Sequence, residues 1–251
     1  MSSAAISFIV FTSVFGGALA GMLLRRSLPQ EHLSGDSKET VKLGMAFVST
    51  MCALVLGLLI SSAKNFYDTQ SAELNQMSAD VVTLDRLLAH YGPEAKDARE
   101  ALRNTVIQIL DRIWPRKRTQ SSEAPPSEKS AESLLDEIQS LSPKDDKQRS
   151  LEAQALSIAV GIGRIHWLMY EQSNASFSHA FLVVMVFWLI VVFISFGLFA
   201  PRNAIATGSL FAAALAISGA IFLILEMYMP FSGLMQISAA PLRSALAHLG
   251  H

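Results

Sequence analysis

The chain reads as an all-α integral membrane protein. Four transmembrane helices are expected, with a helical-bundle insert between the second and the third, and with the second helix extended well beyond the membrane. Three observations carry this. Four apolar stretches, about Ala4–Leu24, Val41–Ala63, Phe177–Ala200 and Ala204–Leu225, punctuate the sequence. Each has the length, roughly 20 residues, that a helix needs to cross about 30 Å of hydrocarbon. The charges are segregated: of 20 Lys/Arg and 21 Asp/Glu in the chain, 14 and 17 fall between Lys64 and Ser176. Finally, no Gly or Pro occurs between Ser61 and Tyr91, so the second stretch has nothing to stop it at the membrane surface.

These features divide the chain into a first transmembrane hairpin (1–64), a helical-bundle insert (65–176), a second hairpin (177–226) and a C-terminal interfacial segment (227–251). The first stretch reads as a retained span. Met1–Val10 carries no Lys or Arg and Arg25-Arg26 follow the apolar core, the reverse of a cleavable signal. The second stretch continues as a heptad-like series through Tyr67, Leu74, Val81 and Leu88, with Gln70, Met77, Leu84 and Tyr91 at the alternate spacing. One helix from Val41 to Tyr91 follows, about 75 Å long at 1.5 Å per residue. Gly92-Pro93 ends it.

A helix from Pro93 to about Trp114 carries the apolar stripe Ala95, Ala98, Leu102, Thr105/Val106, Ile109 and Ile113. Residues 116–130, with Pro125-Pro126, read as a linker. A short helix covers Ala131–Leu141. Ser142-Pro143 looks like an N-cap with proline at the first helical position, opening a last helix toward Tyr170. After the fourth span, Pro230 and Gly233 break the helix, and Leu234–Leu249 is mildly amphipathic, suited to lie along the interface or re-enter the membrane.

The insert is mildly acidic, which excludes a polybasic nucleic-acid surface. The single cysteine, Cys52, excludes an intrachain disulfide. No His or Cys stands at metal-ligand spacing, and no nucleophile elbow, zincin or phosphate-loop motif is present. No cofactor, metal or enzymatic activity is expected. Asp80, Asp85, Arg86, Asp111 and Arg112 read as a solvated face of helix-surface pairs.

The second span holds the candidate functional face. At about 100° per residue, Lys42, Ala46, Thr50, Ala53, Gly57, Ser61, Lys64 and Asp68 fall on one arc. Bulky Phe47, Met51, Val55, Leu58 and Leu59 lie away from it. Lipid solvates such a stripe poorly, so it is expected to face protein or water. In an oligomer it would line a narrow path with lysine rings at the mouths. The competing reading is close helix packing through Ala53, Gly57 and Ser61, with the lysines reaching the interfaces. Glu226, at the end of the fourth span, is a possible ion site or simply a helix-end carboxylate.

Leu33-Ser-Gly-Asp-Ser37, Ala53-Leu-Val-Leu-Gly-Leu-Leu-Ile60, Leu84-Asp-Arg86, Tyr91-Gly-Pro-Glu-Ala95, Pro230-Phe-Ser-Gly233 and Ile237-Ser238 extend over nearly the whole chain. By these segments it resembles a family of four-span, mostly bacterial membrane proteins with a bestrophin-like domain of unknown function. The resemblance implies a multi-pass protein of a bacterial inner membrane. The comparison in the family's name is to bestrophins, oligomeric anion channels with four spans and large cytosolic helical parts. It implies no catalytic or ligand residues.

Together the stripe and the layout predict an oligomeric ion channel, with membrane lipid, inorganic ions and further copies of the chain as partners. The stripe and the heptads beyond it both call for partners. The alternative is a non-conducting membrane scaffold or sensor that assembles through the long helix. Positive charge adds a sidedness. Arg25, Arg26, Lys38, Lys42 and Arg202 on the short loops place those loops in the cytoplasm and the insert outside.

Overall fold

The computed structural model describes residues 2–25, 35–114, 128–174, 179–201 and 203–250. It contains α1 (Ser3–Leu24), α2 (Gly35–Tyr91), a 3-10 turn (Pro93–Ala95), α3 (Lys96–Ile113), α4 (Glu128–Gln139), α5 (Asp146–Asn174), α6 (His179–Phe199), α7 (Ala204–Met227) and α8 (Ala240–His248). No strand occurs among the described residues. Among the described residues, four helices are long and apolar enough to cross a membrane: α1, α2, α6 and α7. Arg26, Arg202 and most of the 116–130 linker lie outside the described residues.

The chain forms two compact units, Met1–Phe66 with Ser176–Tyr228, and Tyr67–Ala175 with Met229–His251. In the first, α1 packs on α6 and α7. The contact with α6 is made by backbone. A Cβ at Gly21 would collide with the carbonyl oxygen of Ile194, and one at Gly197 with that of Ala18. Between membrane helices, dispersion at such close range replaces the hydrophobic drive that lipid removes. Phe11 and Phe15 meet Phe211 edge to face at 5.3 and 5.4 Å. The helix ends are tied by local polar groups. Ser2 caps α1, Asn203 accepts from Ala206 N at 2.8 Å to cap α7, and Arg25 Nη1 donates to Ala200 O at 2.7 Å.

In the second unit the expected heptad series is buried. Leu74, Met77, Val81, Leu84, Leu88 and Tyr91 share one core with Leu102, Val106 and Ile109 of α3 and Ala155, Ile162 and Met169 of α5. The reading that these heptads need partners outside the chain is therefore corrected. The insert's own helices cover them. The C-terminal segment, assigned from sequence to the membrane interface, spends its apolar side in the same core through Ile237, Ala239, Leu242, Ala245 and Leu249.

The quoted family segments have physical roles here. Gly92 adopts φ +130°, open to glycine at little cost, where the chain turns out of α2. Gln148 Nε2 donates to Tyr91 O at 3.0 Å, and Lys144 Nζ reaches Glu94 at 2.6 Å, bracing that turn. Gly233 has φ +85°. Pro230 O accepts from Ile237 N at 2.7 Å, and Trp114 both donates Nε1–H to Ile237 O at 3.1 Å and meets Phe231 edge to face.

Two local expectations shift. The long helix begins at Gly35, earlier than Val41. And α5 opens at Asp146, not at Ser142-Pro143, because the Asp145 carboxylate accepts from Gln148 N at 2.7 Å and caps the helix there.

Candidate pore-lining face of the second helix

The first half of α2 has three faces. One is packed in the first unit's core, with Cys52 buried and Val48, Val55, Leu56 and Leu59 partly so. A second carries exposed bulky side chains, among them Phe47, Leu54 and Leu58. The third is the stripe. Lys42, Ala46, Thr50, Ala53, Gly57, Ser61, Lys64 and Asp68 are all exposed.

The contrast with the other spans is large. In the most apolar window of α2 only 6% of residues are buried, against 28–39% in α1, α6 and α7. At Gly57 a Cβ would meet nothing within 4 Å. Among the described residues, therefore, no helix of the chain packs closely at Gly57.

Two hydroxyls on and beside the stripe are satisfied by their own helix. Thr50 Oγ1 donates to Ala46 O at 2.9 Å, and Ser49 Oγ at the edge of the stripe donates to Met45 O at 2.7 Å. Each hydroxyl proton is spent on its own helix, which leaves the oxygens as acceptors. Lys42 and Lys64 are about 33 Å apart along the axis at 1.5 Å per residue, close to a hydrocarbon thickness of about 30 Å. Beside the stripe, Ser49, Cys52, Ala53 and Leu56 form one wall of an apolar recess of about 190 Å³ completed by Met185, Phe193 and Phe196.

Below Ser61 the helix is fastened on another face. Ser62 Oγ and Tyr228 Oη lie 3.2 Å apart, and the Phe66 and Tyr228 rings stack at 5.3 Å. Glu226, two residues earlier on α7, is buried at 5% exposure. No group of three or more His, Cys, Asp or Glu side chains is placed to hold a metal among the described residues.

One arrangement was not anticipated from sequence. Asp85, read as part of a solvated face, is buried at 4% exposure. Its carboxylate takes a two-pronged contact from Arg99 of α3, Nε to Oδ1 at 2.7 Å and Nη2 to Oδ2 at 3.0 Å. The burial and the Asp85 carboxylate oppose one another at Arg99, and the hydrogen bond prevails, raising its pKa further. The signal was present in spacing: Asp85 follows Leu84 and precedes Leu88 by three, and Arg99 bears the same relation to Ala98 and Leu102. Opposite charges at the edges of two facing apolar stripes are the mark of such a pair.

The Bestrophin-like domain family matches residues 12–242. No curated protein matches the chain by sequence. Among solved structures, a mutant bacterial bestrophin homolog from Klebsiella pneumoniae shares the fold with a TM-score of 0.69 at 12% identity, over 96% of this chain and 97% of that one. The likeness reaches from the first span to α8 and takes in both units. The chain belongs to the Bestrophin-like family.

Proposed function

We propose that the protein is an oligomeric ion channel in which α2 lines the path. The carrying observation is the uncovered stripe. Every one of its residues from Lys42 to Asp68 is exposed in the protomer, whereas the opposite side of α2 is packed. A polar and small-residue face in a membrane span needs water or protein against it, and several copies around an axis supply both. The family comparison with bestrophins fits this layout. The scaffold reading is weakened by the burial of the heptads, because the surface it would have used is spent inside the chain.

Conductance in planar bilayers and oligomer mass, measured on the same variants, test the proposal. Gly57→Leu and Ser61→Leu should place a dewetting ring in the path and cut the current at least about 10-fold with the oligomer intact. Lys64→Glu should change the cation/anion preference. Unaltered current in all three intact oligomers, or a wild-type protein that is only monomeric, sinks the assignment. Loss of the oligomer from a protein without wild-type current favours the scaffold.

Sidedness has two opposed supports. The loop charge puts the insert outside, and the bestrophin comparison puts it in the cytosol. A cysteine introduced at exposed Asp146, in a chain with Cys52→Ala, decides between them. Labelling in intact cells by an impermeant maleimide marks the insert as external.

A further inference from the structure

We propose that a cleft on the second unit binds a phosphate-bearing anion, independently of any conduction through α2. The cleft holds about 680 Å³, within the range of roughly 300–1,000 Å³ that small-molecule sites occupy. Its floor is the first two turns of α3. Lys96, Arg99 and Arg103 all line it, with Asn104 as a further amide. Lys96 and Arg103 lie about 10.5 Å apart along the helix at 1.5 Å per residue, with Arg99 between them.

Three features make this an anion site in need of an anion. First, the cations are under-compensated. Among the described residues Lys96 and Arg103 have no salt bridge, and the carboxylates lining the cleft are Asp85, already spent on Arg99, and Glu100. Second, Lys96 opens α3 and Arg99 ends its first turn, where the macrodipole disfavours positive charge. A sequence that breaks a local rule in this way points to a function met at that place. Third, Arg99 is aimed. Asp85 holds two of its N–H groups at 2.7 and 3.0 Å, and a guanidinium has five donors, so three remain for a ligand from a side chain that no longer has to be ordered. The Gly250 amide, which donates to Asp85 Oδ2 at 3.4 Å, closes the far wall with the C-terminal segment. Asp85 is thus a positioning residue and Lys96, Arg99 and Arg103 are the binding ones. Phosphate, with several acceptor oxygens and more than one charge, matches forked and single donors better than a halide does.

A soluble phosphate compound and a lipid headgroup present the same chemistry, and two arms separate them. Inorganic pyrophosphate is titrated calorimetrically into the full chain in detergent at low salt. In parallel, native mass spectrometry counts phosphatidate retained against phosphatidylcholine. The comparison protein is K96Q/R103Q, whose changes are both on exposed side chains and leave the Asp85–Arg99 pair in place. Saturable binding in either arm that weakens at least about 10-fold in the variant supports the site and names its source. Binding in neither arm, or equal binding by wild type and variant, overturns it. Loss of conductance has no bearing on this outcome.

Discussion

Glycines meet opposite fates in the α1–α6 seam and on α2, although both are membrane-spanning and both space small residues at helical intervals. Gly21 and Gly197 sit where two backbones touch, and a methyl group has no room at either. Gly44 and Gly57 of α2 face open space. Small residues in a span therefore do not identify a packing interface by themselves. What decides is whether the same chain supplies a second helix. In the α1–α6 seam it does. On the stripe face of α2 it does not, among the described residues, and the function proposed above rests on that difference.

The comparison breaks first at the seam. Gly197→Leu should drive the side chain into the Ala18 carbonyl and cost about 3 kcal/mol or more, beyond ordinary overpacking. Gly57→Ala should leave protomer stability within about 0.5 kcal/mol, as for other uncovered sites. Thermal unfolding of the purified proteins measures both. A Gly197 variant as stable as wild type would mean that the seam is not closed, and the contrast would be lost.

Within α2 itself the same contrast recurs between carboxylates. Asp85→Ala removes one partner of a largely buried pair and leaves Arg99 beside the core. A loss of about 3 kcal/mol is expected, the low end for such pairs because Arg99 keeps some solvent. Asp68→Ala, on the exposed stripe, should change stability by less than about 0.5 kcal/mol. Equal effects in denaturant titrations would show that burial is not what separates the two positions.

The smallest effect concerns pH. Burial pushes the His166 imidazole below its ordinary value of 6.5, and the nearby Arg112 guanidinium lowers it further. The folded state therefore holds this group neutral while the unfolded chain binds the proton more readily. The sign follows from linkage: its contribution is full above about pH 6.5 and is lost as pH falls through the lowered folded value. His166→Gln should flatten the decline in thermal midpoint on the acid side of pH 6.5. An unchanged slope assigns the decline to other groups.

Much of this architecture was legible in the sequence because it is written in runs and periods. The four spans, the unbroken long helix and its stop at Gly92-Pro93 all follow from length, hydropathy and backbone chemistry. What was not legible depended on partners remote in sequence. The heptads from Leu74 to Tyr91 have the same pattern whether their cover comes from another copy or from α3 and α5. The C-terminal segment is amphipathic enough for a membrane surface, and only the Trp114 and Ile237 contacts reveal that it folds onto the insert. Ser142-Pro143 reads as a helix start, but the helix opens at Asp146, where the Asp145 carboxylate accepts from Gln148 N. For the candidate face, the stripe itself was readable, but its exposure was not, since periodicity groups residues without saying what covers them.

The continuity of α2 has a mechanical consequence. Between Leu58 and Tyr91 the helix contains neither glycine nor proline, so its backbone has no natural swivel. Tyr228 grips it near Ser62 and Phe66, and Arg99 grips it at Asp85. At about 100° per residue, Leu54 and Leu58 stand roughly 40° and 80° around the helix from the mean direction of Thr50, Gly57 and Ser61, so only a rotation of that size would exchange hydroxyls and a bare backbone for leucine.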